Sequence, residues 1–297
     1  MCLGEALVDL ICPDRLADPA EARRFEAHFG GALANVAVAV RRAGAPAALA
    51  GGCGADDWGR FLRSRLLAEG VSLAHHAELP AVSTPFAFAT LDEAGEPSFR
   101  IHGEGIDAGI ATLAGREREL LVGADALVVG SNTLPDERSR AVTLAVCAAA
   151  QEADVPVLFD PNLRPGRWDE LDAARGLCLE VMREASVLKC NLREARWLSG
   201  LTGAGAAVAG EALVALGPGL VVVTTGAGTA VARGITALEV DPPGVEMICP
   251  LGAGDVFMGT LAAGLLRGGW RAGEVEGAMR QAAEAAAQAC TRLGALD

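Results

Sequence analysis

Short apolar runs rich in β-forming residues alternate with Ala- and Leu-rich segments of helical length along this chain. That rhythm constrains the fold more than any other feature. Residues 47–50, 126–129, 155–159, 186–189 and 220–224 read as buried strands. Between them 35–43, 58–68, 136–152, 172–184, 194–200 and 211–216 have helical pattern and length. Strand–helix alternation of this kind predicts a mostly parallel sheet with helices on both faces, a three-layer α/β/α sandwich. Two stretches break the rhythm. Residues 86–91 and 98–102, separated by the polar turn Asp92-Glu93-Ala94-Gly95-Glu96-Pro97, predict a β-hairpin. With residues near 11–29 it would form a small lid over the open end of the sheet, its second part spanning 84–103. Residues 231–240 read as strand and turn, and Gly203-Ala-Gly-Ala-Ala as a flexible loop. There is no internal repeat, and 1–297 reads as a single domain.

With 51% hydrophobic residues the chain has ample material for a large core. No apolar run reaches transmembrane length, and the start Met1-Cys2-Leu3-Gly4-Glu5 lacks a basic region ahead of an apolar one. A net charge of −13 argues against nucleic acid or an anionic membrane as partner. The eight cysteines are scattered singly through apolar stretches, as reduced, buried thiols of a cytoplasmic protein would be. The four histidines have no metal-ligand spacing. His75 and His76 would point to opposite faces of a strand.

The segment Cys249-Pro-Leu-Gly252-Ala253-Gly254-Asp255 opens an apolar, small-residue helix running to about Leu266. Successive backbone N–H groups at a helix start cradle an anion, and glycine lets it come close. A carboxylate beside such a cradle makes sense if Asp255 takes a proton from a hydroxyl attacking a phosphoryl group, while the amides of Gly252, Ala253 and Gly254 stabilise the growing charge. An ordinary loop-to-helix junction accounts for the same residues.

Four further segments suit a sugar-phosphorylating site. Gly4-Glu5-Ala6-Leu7-Val8-Asp9 reads as a strand end presenting Asp9 to a polyol. Gly30-Gly31-Ala32-Leu33-Ala34-Asn35 permits close backbone approach at Gly31 and puts Asn35 at a helix start, where an N-cap role explains it as well. Asn191-Leu192-Arg193-Glu194 places Asn191 and Glu194 on one helical face, suited to a hydrated Mg²⁺ beside phosphates or equally to a helix cap and its box partner. Asp160-Pro161-Asn162-Leu163-Arg164 follows a strand, where open α/β sheets bind ligands, and offers Arg164; a plain turn needs no function.

In this order along one chain these segments resemble the ribokinase-like (PfkB) carbohydrate kinase family, from Gly4 to about Ala295. The residues that carry the resemblance are Gly30-Gly31 to Asn35 with Gly54-Ala55-Asp56-Asp57-Trp58-Gly59-Arg60-Phe61, then Pro250-Leu-Gly-Ala-Gly-Asp255, then Ala289 to Ala295. The resemblance implies a ribokinase-like core with a β lid often used to pair two subunits, ATP and Mg²⁺, and a sugar or nucleoside hydroxymethyl acceptor. On matching positions it implies Asp255 as base and 252–254 as anion hole. Asp9, Gly31 and Asn35 would grip the sugar, Asn191 and Glu194 would organise Mg²⁺ through water, and Thr224 and Gly226 would lie beside the nucleotide.

Departures from the family pattern qualify this. Cys249 stands where a carboxylate usually helps hold a monovalent cation, which leaves cation dependence open. Thr229 stands where a glycine is usual, Ala283 where an asparagine is common, and Gly259-Thr260 follows the catalytic turn. His102-Gly103 replaces a frequent lid pair, which argues against a firm acidic-sugar assignment. Ala32 stands where ribose-specific members often carry lysine, which favours a ketohexose over ribose. The resemblance as a whole is to kinases of fructose and of 2-keto-3-deoxygluconate, and implies ATP-dependent phosphorylation of the primary hydroxyl of a fructose-like ketose or keto-deoxy sugar acid.

A nicotinamide site around Gly226-Ala-Gly228 is disfavoured because only 229–240, a poor helix former with Gly234 and β-branched residues, precedes Pro242-Pro243, and a Walker-type site because Gly-Lys-Ser/Thr is absent. The rival from another class is a weak or inactive member that binds sugar or nucleotide as a sensor.

Overall fold

The computed structural model describes residues 1–93, 95 and 97–296; Ala94 and Glu96 of the expected polar turn lie outside the described residues. In chain order the strands are β1 (Cys2–Leu3), β2 (Leu7–Arg15), β3 (Glu26–Gly30), β4 (Ala48–Gly54), β5 (Ser72–Leu79), β6 (Phe86–Leu91) and β7 (Pro97–His102). They continue with β8 (Leu127–Gly130), β9 (Val157–Asp160), β10 (Val187–Asn191), β11 (Leu220–Thr225), β12 (Gly228–Gly234) and β13 (Leu238–Val240).

Nine of them form the central sheet in the order β13-β12-β11-β10-β9-β8-β1-β4-β5. Every pairing from β11 through β10, β9, β8, β1 and β4 to β5 is parallel; β12 and β13 extend one edge antiparallel. The chain builds outward from β1 toward β5, then returns to place β8 on β1's other side. Such a reversal opens a crevice at the C-terminal strand ends, where this class of sheet binds ligands.

The pleat sorts side chains into two cores. Val128, Leu158, Val187, Leu220 and Val222 pack toward the helices Ala32–Arg42, Ala253–Arg267 and Val275–Ala289. Leu127, Val129, Val157, Phe159, Leu188, Val221 and Val223 pack on the opposite face, against the helices Glu137–Glu152, Leu171–Glu184, Leu192–Ser199 and Ala206–Val214. Alternate residues of one strand thus face different helical layers, so these strands read as continuous apolar runs rather than as an alternation. The helix Ala253–Arg267 carries buried residues all round its circumference. It lies so close to Ala32–Arg42 that a Cβ on Gly259 would come within 2.5 Å of the Val36 carbonyl oxygen.

The second sheet, ordered β3-β2-β6-β7, is the lid. Asp9 sits inside its strand β2 rather than at the end of a core strand as expected. The core strand stops at Leu3, and Gly4 to Ala6 carry the chain across to the lid. Asn35 is likewise not at a helix start: Gly31 is the N-cap, and Asn35 is the fourth residue of the helix. The helix expected at 211–216 begins five residues earlier at Ala206, so the Gly203-Ala-Gly-Ala-Ala loop is shorter than its composition implies. His75 and His76 lie on β5, an unpredicted strand, with His76 buried and His75 less so. The cysteines are free, seven of them buried. Among the described residues no helix is long and apolar enough to cross a membrane.

Candidate active site

The site starts at a backbone conformation. Gly252 has φ of +74°, and its carbonyl accepts the Val256 N–H at 2.9 Å to begin the helix. A left-handed residue here turns the chain sharply enough to put Asp255 in the first turn with its side chain inward. The Ala253 N–H is directed at the Pro250 carbonyl at 3.3 Å, the long end of hydrogen-bond range.

Asp255 is 5% exposed. One carboxylate oxygen, Oδ2, accepts from Asn35 Nδ2 at 2.9 Å; the other, Oδ1, accepts from Asn162 Nδ2 at 2.8 Å. Burial pushes its pKa up to about 7, with the Asn35 hydrogen bond opposing; the charge of Asp160 adds to the rise, while Arg164 and Lys189 restrain it. A carboxyl group balanced near neutrality in a cleft is suited to accepting a proton.

The cleft beside Asp255 brings together Asp9, Gly31, Asn35, Arg164, Gly252 and Asp255. Gly31, with φ of +99°, packs its Cα against the Glu5 carbonyl, where a Cβ would come within 2.6 Å. The Asp9 carboxylate lies against Gly30, where a side chain would collide with it. Asn35 Oδ1 is buried without a hydrogen-bond partner among the described residues, leaving an acceptor for a ligand hydroxyl. Arg164 donates to Asn162 Oδ1 at 2.6 Å and stacks its guanidinium 4.6 Å from the Phe99 ring centroid, tying the loop after β9 to the lid.

Asn191, Glu194, Thr224 and Gly226 do not line this cleft; they lie at and just beyond the C-terminal ends of β10 and β11, where Asn191 and Thr224 are register partners. Asn191 and Glu194 form a reciprocal capping box: Asn191 Oδ1 accepts from the Glu194 amide at 3.0 Å, and Glu194 Oε2 from the Asn191 amide at 2.9 Å. Glu194 Oε1 also accepts from the Leu163 amide at 2.8 Å, which links the end of β10 to the Asn162–Arg164 loop. Burial and the nearby Asp160 raise the Glu194 pKa, with Lys189 opposing. Thr224 and Gly226 stand at the β11–β12 hairpin, with Gly226 at φ of +70°.

Four polar residues of the site were not singled out from sequence. Glu5 is buried after β1, its Oε1 accepting from Asn132 Nδ2 at 2.7 Å and from the Ala32 amide at 3.2 Å. Asn132 follows β8 and is braced by Arg167, which donates to its carbonyl at 2.8 Å and to Asp107 at 3.0 Å. Asn162 takes φ of +41°, which turns its amide onto Asp255. Lys189 is buried on β10 and donates to Asp160 Oδ2 at 2.8 Å. A signal for the last was present, since it is the sole lysine of the chain.

A mostly parallel sheet with helices on both faces and a β lid is the ribokinase-like fold. The chain belongs to the pfkB family of carbohydrate kinases, whose description it matches over residues 1–297. It is 33% identical over 198 residues to Fructokinase-1 of Oryza sativa subsp. japonica, covering 67% of this chain and 61% of that protein. The chain thus spans about three fifths of the length of that plant relative. It is 31% identical over 270 residues to a fructokinase of Vibrio alginolyticus, covering 89% of this chain and 83% of that one. A crystal structure of a fructokinase double mutant from Vibrio cholerae O395, bound to fructose, ADP and potassium ion, superposes with a TM-score of 0.85 at 29% identity. It covers 99% of this chain and 92% of that one.

Proposed function

We propose that the protein is an ATP-dependent sugar kinase that phosphorylates the primary hydroxyl of a fructose-like ketose or a keto-deoxy sugar acid. The observation that carries this reading is Asp255: a buried carboxylate at a glycine-rich helix start, held by two side-chain amides and facing a polar cleft. The relatives named fructokinase, and the neighbour that holds fructose and ADP, support the same acceptor class.

In this reading Asp9, Gly31 and Asn35 hold the sugar, with Arg164 closing the cleft from the loop after β9. Asp255 takes the proton of the primary hydroxyl as its oxygen bonds to the γ-phosphorus; the bond from that phosphorus to the bridging oxygen breaks, and ADP leaves. The 252–254 backbone stabilises charge on the equatorial oxygens, the Ala253 amide turning from Pro250 to do so. Asn191, Thr224 and Gly226 flank the nucleotide at the C-terminal ends of β10 and β11.

Mg²⁺ is expected to enter on the nucleotide phosphates, whose charge it neutralises. The buried Glu194 fits an outer-sphere role, because both its oxygens already accept backbone N–H groups and retain lone pairs for water. The Cys249 thiol is buried and its pKa raised by that burial, so it supplies no anionic ligand for a monovalent cation.

The test is ADP release from Mg·ATP against fructose, 2-keto-3-deoxygluconate, ribose, tagatose and common nucleosides, with and without K⁺. Turnover with a ketose or keto-deoxy acid is the expected result. Binding of sugar or ATP without turnover across the panel would favour the sensor reading. Because Asp255 must be ionised to act, kcat/KM for the sugar is expected to fall as pH drops through about 7. A flat profile between pH 5.5 and 8 would contradict the assigned base.

Pairing of two chains through the lid is part of this proposal. Phe25, Phe86, Phe88 and His102 form an aromatic cluster there, and Phe88 is 37% exposed. Light scattering is expected to give a dimer for the wild type and a monomer for Phe88→Glu; a monomeric wild type would refute it.

A further inference from the structure

We propose that Lys189 is a positioning residue for phosphoryl transfer, its ammonium supplying fixed positive charge beneath the 252–254 cradle without touching the substrate. The inference rests on the kinase reading above. It begins with composition. Of 25 Lys and Arg residues, 24 are arginine, and Lys189 is the one lysine. A chain that uses arginine at every other basic position departs from that habit at one place.

That place is inside the protein. Lys189 is 4% exposed, and among the described residues no arginine is as buried. Its position on β10 matters, because the residue two before it, Val187, faces the core that contains the helix Ala253–Arg267. Strand parity therefore sends the Lys189 side chain toward the same helix. It arrives under the cradle: a Cβ placed on Gly254 would come within 2.9 Å of Lys189 Nζ. A planar guanidinium is larger than an ammonium and needs donors met in a fixed fork, so arginine does not replace lysine in this space.

The surrounding charges show what the ammonium does there. Asp160, Glu194 and Asp255 are all buried around it, from β9, the helix after β10, and the cradle helix respectively. Arg164, partly buried, is the other cation acting on Asp255. Burial works against the charge on Lys189, but Asp160, Glu194 and Asp255 outweigh it and hold the ammonium above its ordinary pKa. Without that ammonium, three buried carboxylates would face an incoming polyphosphate with no buried cation among them. A preorganised charge in a low-dielectric site stabilises charge building on the transferring group at no cost of reorganisation.

The competing account makes Lys189 and Asp160 a structural ion pair. Breaking a buried pair by removing one partner destabilises, whereas removing both charges together is often neutral. The decisive variant is therefore Asp160→Asn/Lys189→Met, assayed beside Asp160→Asn and wild type for Tm, kcat and sugar KM. The expected result for the double variant is a Tm near wild type, kcat lowered about 100-fold and sugar KM within about threefold. Asp160→Asn, which keeps the ammonium, is expected to keep kcat within about fivefold. A double variant with near-wild-type kcat overturns the proposal while leaving the kinase reading intact; a wild type that turns over no sugar overturns both.

A second measurement does not depend on the variants folding. With one lysine, ¹⁵N-lysine labelling gives a single Nζ resonance. It is expected to shift when Mg·ADP, aluminium fluoride and fructose are added together to wild type that turns over fructose. A resonance unmoved by that mixture, once calorimetry shows it bound, overturns the proposal.

Discussion

Asp255→Asn is expected to lower kcat by 10²- to 10⁴-fold, the range that a positioned general base contributes, while making the protein more stable. Both effects have one origin. Burial raises the Asp255 pKa to about 7 from its ordinary 3.8, so carrying the ionised form in the fold costs on the order of 4 kcal/mol above pH 7. The asparagine variant carries no such charge. Its amide cannot accept from both Asn35 and Asn162, and the weakened hydrogen bond offsets about 2 kcal/mol. The net gain of about 2 kcal/mol corresponds to a Tm rise of roughly 4 °C at pH 8.

The sign of the pH dependence follows from the raised pKa. Between 3.8 and about 7 the folded wild type binds a proton that the unfolded chain does not. Wild type therefore gains stability as pH falls through this window, and the advantage of the variant closes toward pH 4. Thermal denaturation of both proteins at pH 8 and pH 4.5 checks this. A variant less stable than wild type at pH 8 would mean that Asp255 is held as a stabilising ion, not as a strained base.

Gly252→Ala is expected to lower kcat roughly 100-fold, comparable to losing one oxyanion donor, and to destabilise the fold. The residue sits at φ of +74°, and a Cβ there would approach Ala295 Cβ to 2.1 Å and Asn35 Nδ2 to 3.4 Å. A non-glycine residue in the left-handed region costs about 1–2 kcal/mol before any clash. The collision with Ala295 then moves the turn that aims the cradle, and misplacement by about 1 Å is enough for such a loss. Steady-state kinetics with the substrate found in the panel give the answer; kcat within threefold of wild type would show that the 252–254 backbone does not act on the transferring group.

The parts of this site legible in sequence are those written contiguously. The cradle and Asp255 lie within four residues, and glycine announces a left-handed turn by its identity. The parallel sheet was legible because strands buried on both faces read as unbroken apolar runs, as in 220–224. What was not legible depends on conformations the local pattern does not specify. Asp9 was placed at a core strand end because nothing before it signals that the chain leaves the core at Gly4 for the lid. Asn35 was drawn to the helix start by N-cap preference, but Gly31 takes that role and frees the Asn35 side chain for Asp255.

Asn162 was passed over because a turn asparagine needs no function; only its positive φ turns the amide toward a carboxylate 93 residues away. The Asn191–Glu194 pair remained open between metal organiser and helix cap. The structure has the cap, which leaves an outer-sphere role compatible with it. The start of the helix at Ala206 was missed because its first residues are alanine, valine and glycine with no polar face to give a periodicity.

Transfer of the γ-phosphate of Mg·ATP is to be followed by ³¹P NMR in the presence of fructose or the panel's best acceptor, with wild type and Asp255→Asn side by side. A sugar phosphate ester resonance is expected to grow with the loss of ATP in wild type and to be absent or slowed by at least 10²-fold in the variant. Ester formed at equal rates by both proteins would remove Asp255 from the role of base. Inorganic phosphate as the sole product would remove the sugar as acceptor.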